Sequence, residues 1–334
     1  MTALMKTVLV RQVGGPEALE YVDVPRPDPG PHDVVIRAEA FGVGQPDVLI
    51  RRGVYKWMPP LPVNPGNDVA GIVHAVGSEV SGIATGRKVL LSARDLAQRG
   101  GCYSEFVAAP ADAVHLLADS VDLQEAVCLA NYQVAWALLH QCASTQRPDS
   151  ALVIGAAGGV GTALVQLGKL AGMTIIGTVS SEEKAEFARR NGADHVIHYR
   201  NEDVIARTRE LTEGRGVGLV LDHVGGPDFV GYIRALGKWG TLVSYNAFAG
   251  LPQENLVAAM RDHLDTCPAV RCFSFHIYDH DREGRRALMR EVIGALERGA
   301  IRPAISARLK LSDVRNAHSL LEQGSALGKI VMTP

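Results

Sequence analysis

The run Ala151-Leu-Val-Ile-Gly-Ala-Ala-Gly-Gly-Val-Gly161 constrains this chain more than any other. Its first residues read as a buried apolar strand, and Gly161 to Ala171 shows apolar residues at helical spacing, ending near Gly172. Met173 to Val179 then reads as a second strand, so the piece is a βαβ unit and belongs in a parallel sheet. A glycine-rich turn in that position suits a dinucleotide. The pyrophosphate needs free N–H groups at a helix N-terminus and no Cβ in its way, which Gly158 and Gly159 provide, while Gly161 lets helix and strand approach closely. Ala157 and Val160 complete the expected contact stretch. Ala156 stands where the usual fingerprint has its first glycine.

The choice of dinucleotide is made at the end of the second strand, where an Asp or Glu would bind a ribose 2′-hydroxyl. Here Gly177-Thr-Val-Ser-Ser181 carries no carboxylate. Ser180, Ser181 and, one helical turn later, Lys184 offer hydroxyls and a cation instead, which suits a 2′-phosphate and predicts NADPH. One of the two serines also caps the next helix, whose first turn holds Glu182 and Glu183 and which Gly192 ends. Strands are predicted at His195–Ile197, Gly218–Asp222 and Thr241–Ser244, with a helix at Phe229–Leu236.

Before this α/β stretch the sequence changes character. Up to about Ala118 it is rich in valine, glycine and proline, with short strands such as Asp33–Arg37 and Val69–Val73, and Met1–Arg11 reads as an opening strand. A helix is predicted over Leu123–Cys142, others over Asp281–Arg298 and Asp313–Gln323, and a last strand, Lys329–Met332, that returns to the first domain. A chain of 334 residues suits two domains sharing a cleft. Hydrophobic residues at 47% and charged residues at 21% supply packed interiors, and a net charge of -2 gives no general drive toward nucleic acid or anionic membranes. The N-terminus lacks the apolar core of a secretory signal and no apolar run is long enough to span a bilayer, so the expectation is a cytoplasmic protein acting on a small molecule. Cys102, Cys128, Cys142, Cys267 and Cys272 are scattered and are expected to be reduced, packed thiols.

Six segments together resemble the medium-chain dehydrogenase/reductase superfamily, in its zinc-free quinone oxidoreductase, or zeta-crystallin-like, branch. They are Arg51-Arg-Gly-Val-Tyr55, Pro65-Gly-Asn-Asp-Val-Ala-Gly71, Gly101-Cys-Tyr-Ser-Glu-Phe106, Ala156–Gly161, Val179–Lys184 and Gly192–Ile197. The resemblance implies an α/β protein with a GroES-like, strand-rich catalytic domain from residues 1–122 and 268–334, and a doubly wound Rossmann domain from 123–267. It implies a homodimer as well. The zinc-dependent relatives hold metal with a Cys and a His where this chain has Gly44 and Asn67, neither of which makes a stable zinc site. No metal is therefore expected, and the acceptor must take hydride readily, as a quinone or an α,β-unsaturated carbonyl does.

Carried over residue by residue, the resemblance makes Tyr55 the first candidate hydrogen-bond donor to the reacting oxygen, with Gln45 and Asn67 as further candidates. It adds Asn131 and Tyr132 before the Rossmann sheet, Tyr199 near the 2′-phosphate, Ser244, Asn246 and Phe248 in a loop facing the nicotinamide, and Lys329 toward the cofactor. The chain departs from the family at Gly44, Val134 and Tyr245-Asn246, where an Asn, a Thr and a Phe-Gly pair are usual. Phe273, Phe275 and Tyr278 line the substrate cleft or belong to an interface or core strand. Two further readings stay open: an enoyl-thioester reductase, for which Arg51, Arg52 and Lys56 would supply a basic track, and a protein that binds NADPH without turnover.

Overall fold

The computed structural model describes residues 3–143 and 148–334, in two compact units: Met1–Ala130 with Met289–Pro334, and Asn131–Leu288. The first is built on strands. β1 (Leu4–Leu9) and β2 (Glu20–Pro25) form an antiparallel pair. Among the described residues a second sheet runs β14 (Ile305–Lys310), β15 (Lys329–Thr333), β3 (Asp33–Val43), β4 (Asp68–Val76), β5 (Lys88–Ser92), β7 (His115–Leu116), and β6 (Phe106–Pro110) pairs with β3 as well. The final strand does return to the first unit: β15 lies antiparallel to β3, with Ile330 opposite Val43 and Met332 opposite Phe41.

Branched residues suit a pleated sheet covered on both faces, and Val34, Val35 and Ile36 of β3 are all fully buried. Val34 and Ile36 join Val69, Leu91, Tyr103 and Met332 in one core. The helix α9 (Val314–Glu322) covers this core with Val314 and Ala317. A short helix, α1 (Gln45–Arg51), inserts Val48 and Ile50 and carries the buried Asp47 toward β4.

The second unit holds a parallel sheet in the order β10 (His195–His198), β9 (Thr174–Val179), β8 (Ser150–Val153), β11 (Val217–Asp222), β12 (Leu236–Ser244), β13 (Ala269–Cys272). In chain order this is 3-2-1-4-5-6, the doubly wound pattern, with a switch point between β8 and β11. The helices α4 (Gly159–Leu170) and α5 (Glu182–Arg190) contribute Val165, Ala185 and Ala188 to the buried set, beside the sheet residues Leu152, Ile176, Ile197 and Val220. Each end is chemically marked: Ser181 caps α5, and Lys169 and Arg189–Arg190 lie in last turns, where cations favour the helix dipole.

Several expectations need correction. The segment 123–142 is not one helix: α2 (Leu123–Ala126) stops at the cap residue Val127, and α3 (Leu129–Gln141) starts anew. Phe229–Leu236 winds as a 3₁₀ helix over Val230–Ala235, and Leu236 already opens β12. The dinucleotide unit extends beyond residue 267 because β13 hydrogen-bonds to β12 as the edge strand, Thr241 opposite Ala269. It begins at Asn131 instead of 123, within α3. Of the alternatives open for the aromatic run, Phe275 and Tyr278 take the buried one, on a 3₁₀ turn instead of a strand, clustered with Ala137 and Leu288 and with Phe273 packed alongside. Of the cysteines, Cys267 and Cys272 are exposed, contrary to the expectation of five packed thiols.

Candidate functional site

The glycine turn follows β8 directly. Gly155 has φ +73°, its N–H donates to Thr178 Oγ1 at 3.1 Å, and the Gly158 N–H closes the turn on the Gly155 carbonyl at 3.1 Å. Side chains at two positions would be excluded: a Cβ at Gly155 would sit 2.5 Å from His223 Cε1, and one at Gly161 would overlap the Gly155 carbonyl oxygen. The steric role assigned to Gly161 is thus in place. The positive-φ glycine is Gly155, one residue before Ala156; the Ala156 methyl faces Gly177 across the sheet, where a second Cβ would come within 2.6 Å of it. Gly158 is the extended N-cap of α4, and the first N–H to find a helical carbonyl is that of Thr162. The N–H groups of Gly159, Val160 and Gly161 therefore have no i−4 carbonyl and face out of the helix end, beside buried Ala157.

A cavity of about 560 Å³ opens beyond β9 and is lined by Ser180, Ser181, Glu182, His198, Arg200, Asn201 and Glu202. Register explains the company: His198 pairs with Val179, so the residues after β10 lie beside the two serines that follow β9. Its two carboxylates already face cations or backbone. Glu182 sits 2.8 Å from Arg189 Nη1 and 3.1 Å from His198 Nε2, and Glu202 accepts the His198 N–H at 2.7 Å. Ser180 and Ser181 were read from the sequence; His198, Arg200 and Asn201 were not, because only strand pairing brings them there. Lys184 and Tyr199 stand next to this wall without lining it. The Lys184 N–H is the group that Ser181 Oγ caps, at 3.4 Å.

The loops after β11 and β12 form the opposite side of the switch point. Asp222, fully buried, accepts the N–H groups of Val224 at 2.7 Å and Gly225 at 3.0 Å. Burial pushes its carboxyl above the ordinary range, and those two bonds restrain the rise. Ser244 Oγ donates to the Asn246 carbonyl, Asn246 Oδ1 accepts the Ala247 N–H, and the half-exposed Phe248 ring stands edge-on to His223 at 5.6 Å. Asn131 is half-buried in α3, where Tyr132 donates its hydroxyl to Gln166.

In the first unit, the positions that carry zinc ligands in metal-dependent relatives hold a hydrogen-bonded knot. Asp47 accepts the Gly44 N–H at 2.7 Å, the Asn67 Nδ2 at 2.6 Å and the Tyr103 hydroxyl at 2.8 Å. Burial raises the Asp47 carboxyl to about 6, opposed by the Asn67 bond and by Lys329. Asn67 gives its other N–H to the Pro65 carbonyl at 3.0 Å, so both donor protons are spent and it is not the substrate donor expected. Lys329 is buried with Nζ 3.9 Å from Asp68 Oδ2. Gln45 opens α1, half-buried. Tyr55 is half-buried against the core, its ring 5.8 Å from Trp57. Arg51 is no surface cation: it is fully buried, donating to the Gly14 carbonyl and to Glu322 Oε1 at 2.8 Å. Lys56 rests over the Trp57 ring. No group of three or more His, Cys, Asp or Glu able to hold a metal occurs among the described residues.

A strand-rich unit closed by the C-terminal strand, joined in sequence to a doubly wound sheet with a glycine turn at its switch point, defines an oxidoreductase of the dinucleotide-dependent kind. Comparison with known proteins agrees. Residues 30–119 match the alcohol dehydrogenase GroES-like domain and residues 159–280 the zinc-binding dehydrogenase family. A quinone oxidoreductase of Pseudomonas aeruginosa is 34% identical over 99% of this chain and all of its own length. Among solved structures, the Escherichia coli quinone oxidoreductase complexed with NADPH is 28% identical, with TM-score 0.83 over 99% of this chain and all of that one. An NAD-dependent alcohol dehydrogenase is 29% identical, with TM-score 0.88 over the same shares, so backbone likeness alone does not select the cofactor. The chain belongs to the medium-chain dehydrogenase/reductase superfamily, in its zinc-free quinone oxidoreductase branch.

Proposed function

We propose that this protein uses NADPH to reduce a quinone or a related α,β-unsaturated carbonyl, without zinc. The observation that carries the reading is the cavity after β9: two serine hydroxyls and Arg200 where an NAD enzyme would present a carboxylate to the ribose. Of its own carboxylates, Glu182 faces Arg189 and the His198 ring, and Glu202 accepts the His198 backbone N–H and lies 3.7 Å from Arg207, which leaves the Arg200 guanidinium in the wall for a dianionic phosphate. The cofactor also fits the turn, since Gly158, the N-cap of α4, leaves open space where a Cβ would stand, with only the Gly155 carbonyl oxygen near, at 3.6 Å. Named relatives agree, among them the NADPH-bound E. coli enzyme.

NADPH would lie with its pyrophosphate on the N–H groups of Gly159, Val160 and Gly161 and would supply the hydride. The chain's own part is to orient, to exclude water and to donate hydrogen bonds to the developing oxyanion. Tyr55 is the leading donor, followed by Gln45, both in the first unit; Asn67 instead holds Asp47. Gly44 and Asn67 offer neither thiolate nor imidazole, so these two positions give no Lewis-acid site of the zinc kind. The thioester reading loses Arg51 from its basic track, because that guanidinium is committed to Gly14 and Glu322. A cytoplasmic homodimer is proposed on the family resemblance; no helix among the described residues is long and apolar enough to cross a membrane.

The test is oxidation of NADPH and NADH with 9,10-phenanthrenequinone, with and without a chelator, in the wild type, Arg200→Ala and Lys184→Ala. A hydrogen bond to a charged group contributes about 2 kcal/mol, so losing it should cut the NADPH-over-NADH preference roughly 30-fold. Activity that a chelator abolishes, or an NADH preference in the wild type, would overturn the reading.

A further inference from the structure

One buried cation of the first unit has no hydrogen bond to account for its burial. β15 runs antiparallel to β3 with Ile330 opposite Val43, which brings Lys329, one residue earlier, alongside Gly44. Gly44 continues the extended backbone of β3, with φ −136° and ψ 166°, so it shares a face with Gly42 two residues before it. Neither glycine has a side chain, and the lysine stem lies in the space so left: a Cβ at Gly42 would stand 3.0 Å from Lys329 Cε, and one at Gly44 3.5 Å from Nζ. Only 6% of the lysine side chain is exposed. Nζ lies 3.9 Å from Asp68 Oδ2, beyond hydrogen-bond reach, and donates to no group among the described residues. Asp68 Oδ1, also buried, is likewise without a partner. Asp47 does not take up the ammonium either, since Asn67, the Tyr103 hydroxyl and the Gly44 N–H already occupy its two oxygens.

A buried ammonium with unspent donors destabilises a fold unless some other group meets it. Beside Nζ there is room for one. The place a Cβ at Gly44 would take is in ordinary contact with its nearest neighbours, Nζ and Pro46 Cδ at 3.5 Å and Asp47 Oδ2 at 3.8 Å, and Gly44, Gln45 and Pro46 each keep part of their surface open. When hydride adds to an α,β-unsaturated carbonyl or a quinone, the displaced electron pair collects on the carbonyl oxygen, which later takes a proton from water. A fixed positive charge lowers the barrier most when it is aimed at the atom where that charge develops. Resting on the reading of this chain as a quinone or enone reductase, we propose that Lys329 is a further catalytic residue, its ammonium receiving the acceptor's carbonyl oxygen beside Gly44 and stabilising the negative charge that forms there. Asp68 offsets the ammonium's charge from 3.9 Å without consuming its N–H groups, which stay available to that oxygen.

The full chain is assayed with NADPH and 9,10-phenanthrenequinone, and titrated calorimetrically with NADPH, as wild type, as Lys329→Ala, and as Lys329→Met combined with Asp68→Asn, which leaves neither charge of the pair buried alone. Both variants should lose kcat about 100- to 1000-fold, the effect of removing a donor to an oxyanion, while NADPH affinity stays within about 2-fold. Added methylammonium should restore part of kcat in Lys329→Ala, and tetramethylammonium, which has no N–H, should not. As a probe without turnover, 4-nitrophenol bound to the wild type should be anionic in larger proportion than in the same buffer free, read from its yellow absorbance, and the double variant should lose the excess. An unchanged kcat, no anionic excess in the wild type, or equal rescue by the two cations overturns the proposal. So does a loss of NADPH affinity as large as the loss of kcat, which would make Lys329 a cofactor contact. A wild type that binds NADPH but reduces neither quinone nor enone overturns the acceptor reading and the lysine's role with it, whereas the preceding results overturn the lysine's role alone.

Discussion

Three glycines of one turn should fail in three different ways when each is replaced by alanine. At Gly161 the new methyl would overlap the Gly155 carbonyl oxygen, a backbone atom that cannot swing aside. Forcing an atom into such a place costs about 3 kcal/mol, and alanine's better helix propensity returns about 1, leaving about 2 kcal/mol of net loss. For a unit of this size that lowers the melting temperature by roughly 4–8 °C. Gly158 has φ −78° and only the Gly155 oxygen near its Cβ position, at 3.6 Å. Its replacement should cost about 0.5–1 kcal/mol, the difference between glycine and alanine as N-cap, or roughly 1–4 °C. Yet it places a methyl where the pyrophosphate would rest, so NADPH affinity should fall far more than stability. Gly155→Ala combines both faults: φ +73° costs an L-residue about 1–2 kcal/mol, and the methyl displaces the His223 ring. Thermal melts beside NADPH titrations of the three variants would show the order. If Gly158→Ala melts as low as Gly161→Ala, or Gly161→Ala melts with the wild type, the steric reasoning is wrong.

Two further outcomes follow from buried groups. Asp47 is raised from its ordinary 3.8 to about 6, so between those values the native state holds a proton the unfolded chain has released, and stability falls as pH rises through the window. Relative to Asp47→Asn, which does not titrate, the wild type should lose about 3 kcal/mol between pH 4 and a pH above 6; parallel urea-unfolding curves across that range would refute it. Burial pushes the thiols of Cys128 and Cys142 up to about 12 and about 11, and that of Cys102 well above its ordinary value, whereas Cys267 and Cys272 are exposed. A disulfide-exchange reagent at pH 8 should therefore titrate two thiols rapidly and the remaining three only on unfolding, and a different fast count would contradict the burial pattern.

What the sequence revealed was whatever local chemistry writes: strand, glycine turn, helix and the Ser181 cap all declare themselves within a few residues. The final strand was legible too, since β15 is a compact apolar run. What escaped depends on pairing at a distance. His198 and Arg200 reach the cavity because β10 lies in register with β9, and His223 meets Gly155 only through the adjacency of β8 and β11. Helix α1, seven residues long and entered through Gly44 and Pro46, is too brief to show a period, and with it the burial of Arg51 and Asp47 was hidden. Asn67 was seen as a donor because its type was visible, while the acceptors that consume its protons were not.

The knot around Asp47 also bears on how reversible its chemistry is. Restoring a thiolate at position 44 and an imidazole at 67 by two substitutions would remove the amide that holds Asp47. It would also set the new thiol beside Lys329, whose Nζ lies 3.5 Å from where a Cβ at 44 would be. An ammonium there competes with a dication for the same thiolate and repels it. Two substitutions alone would therefore not give this chain a zinc site: the lysine would have to go as well, and its removal would leave the buried Asp68 carboxylate without the ammonium that now lies 3.9 Å away.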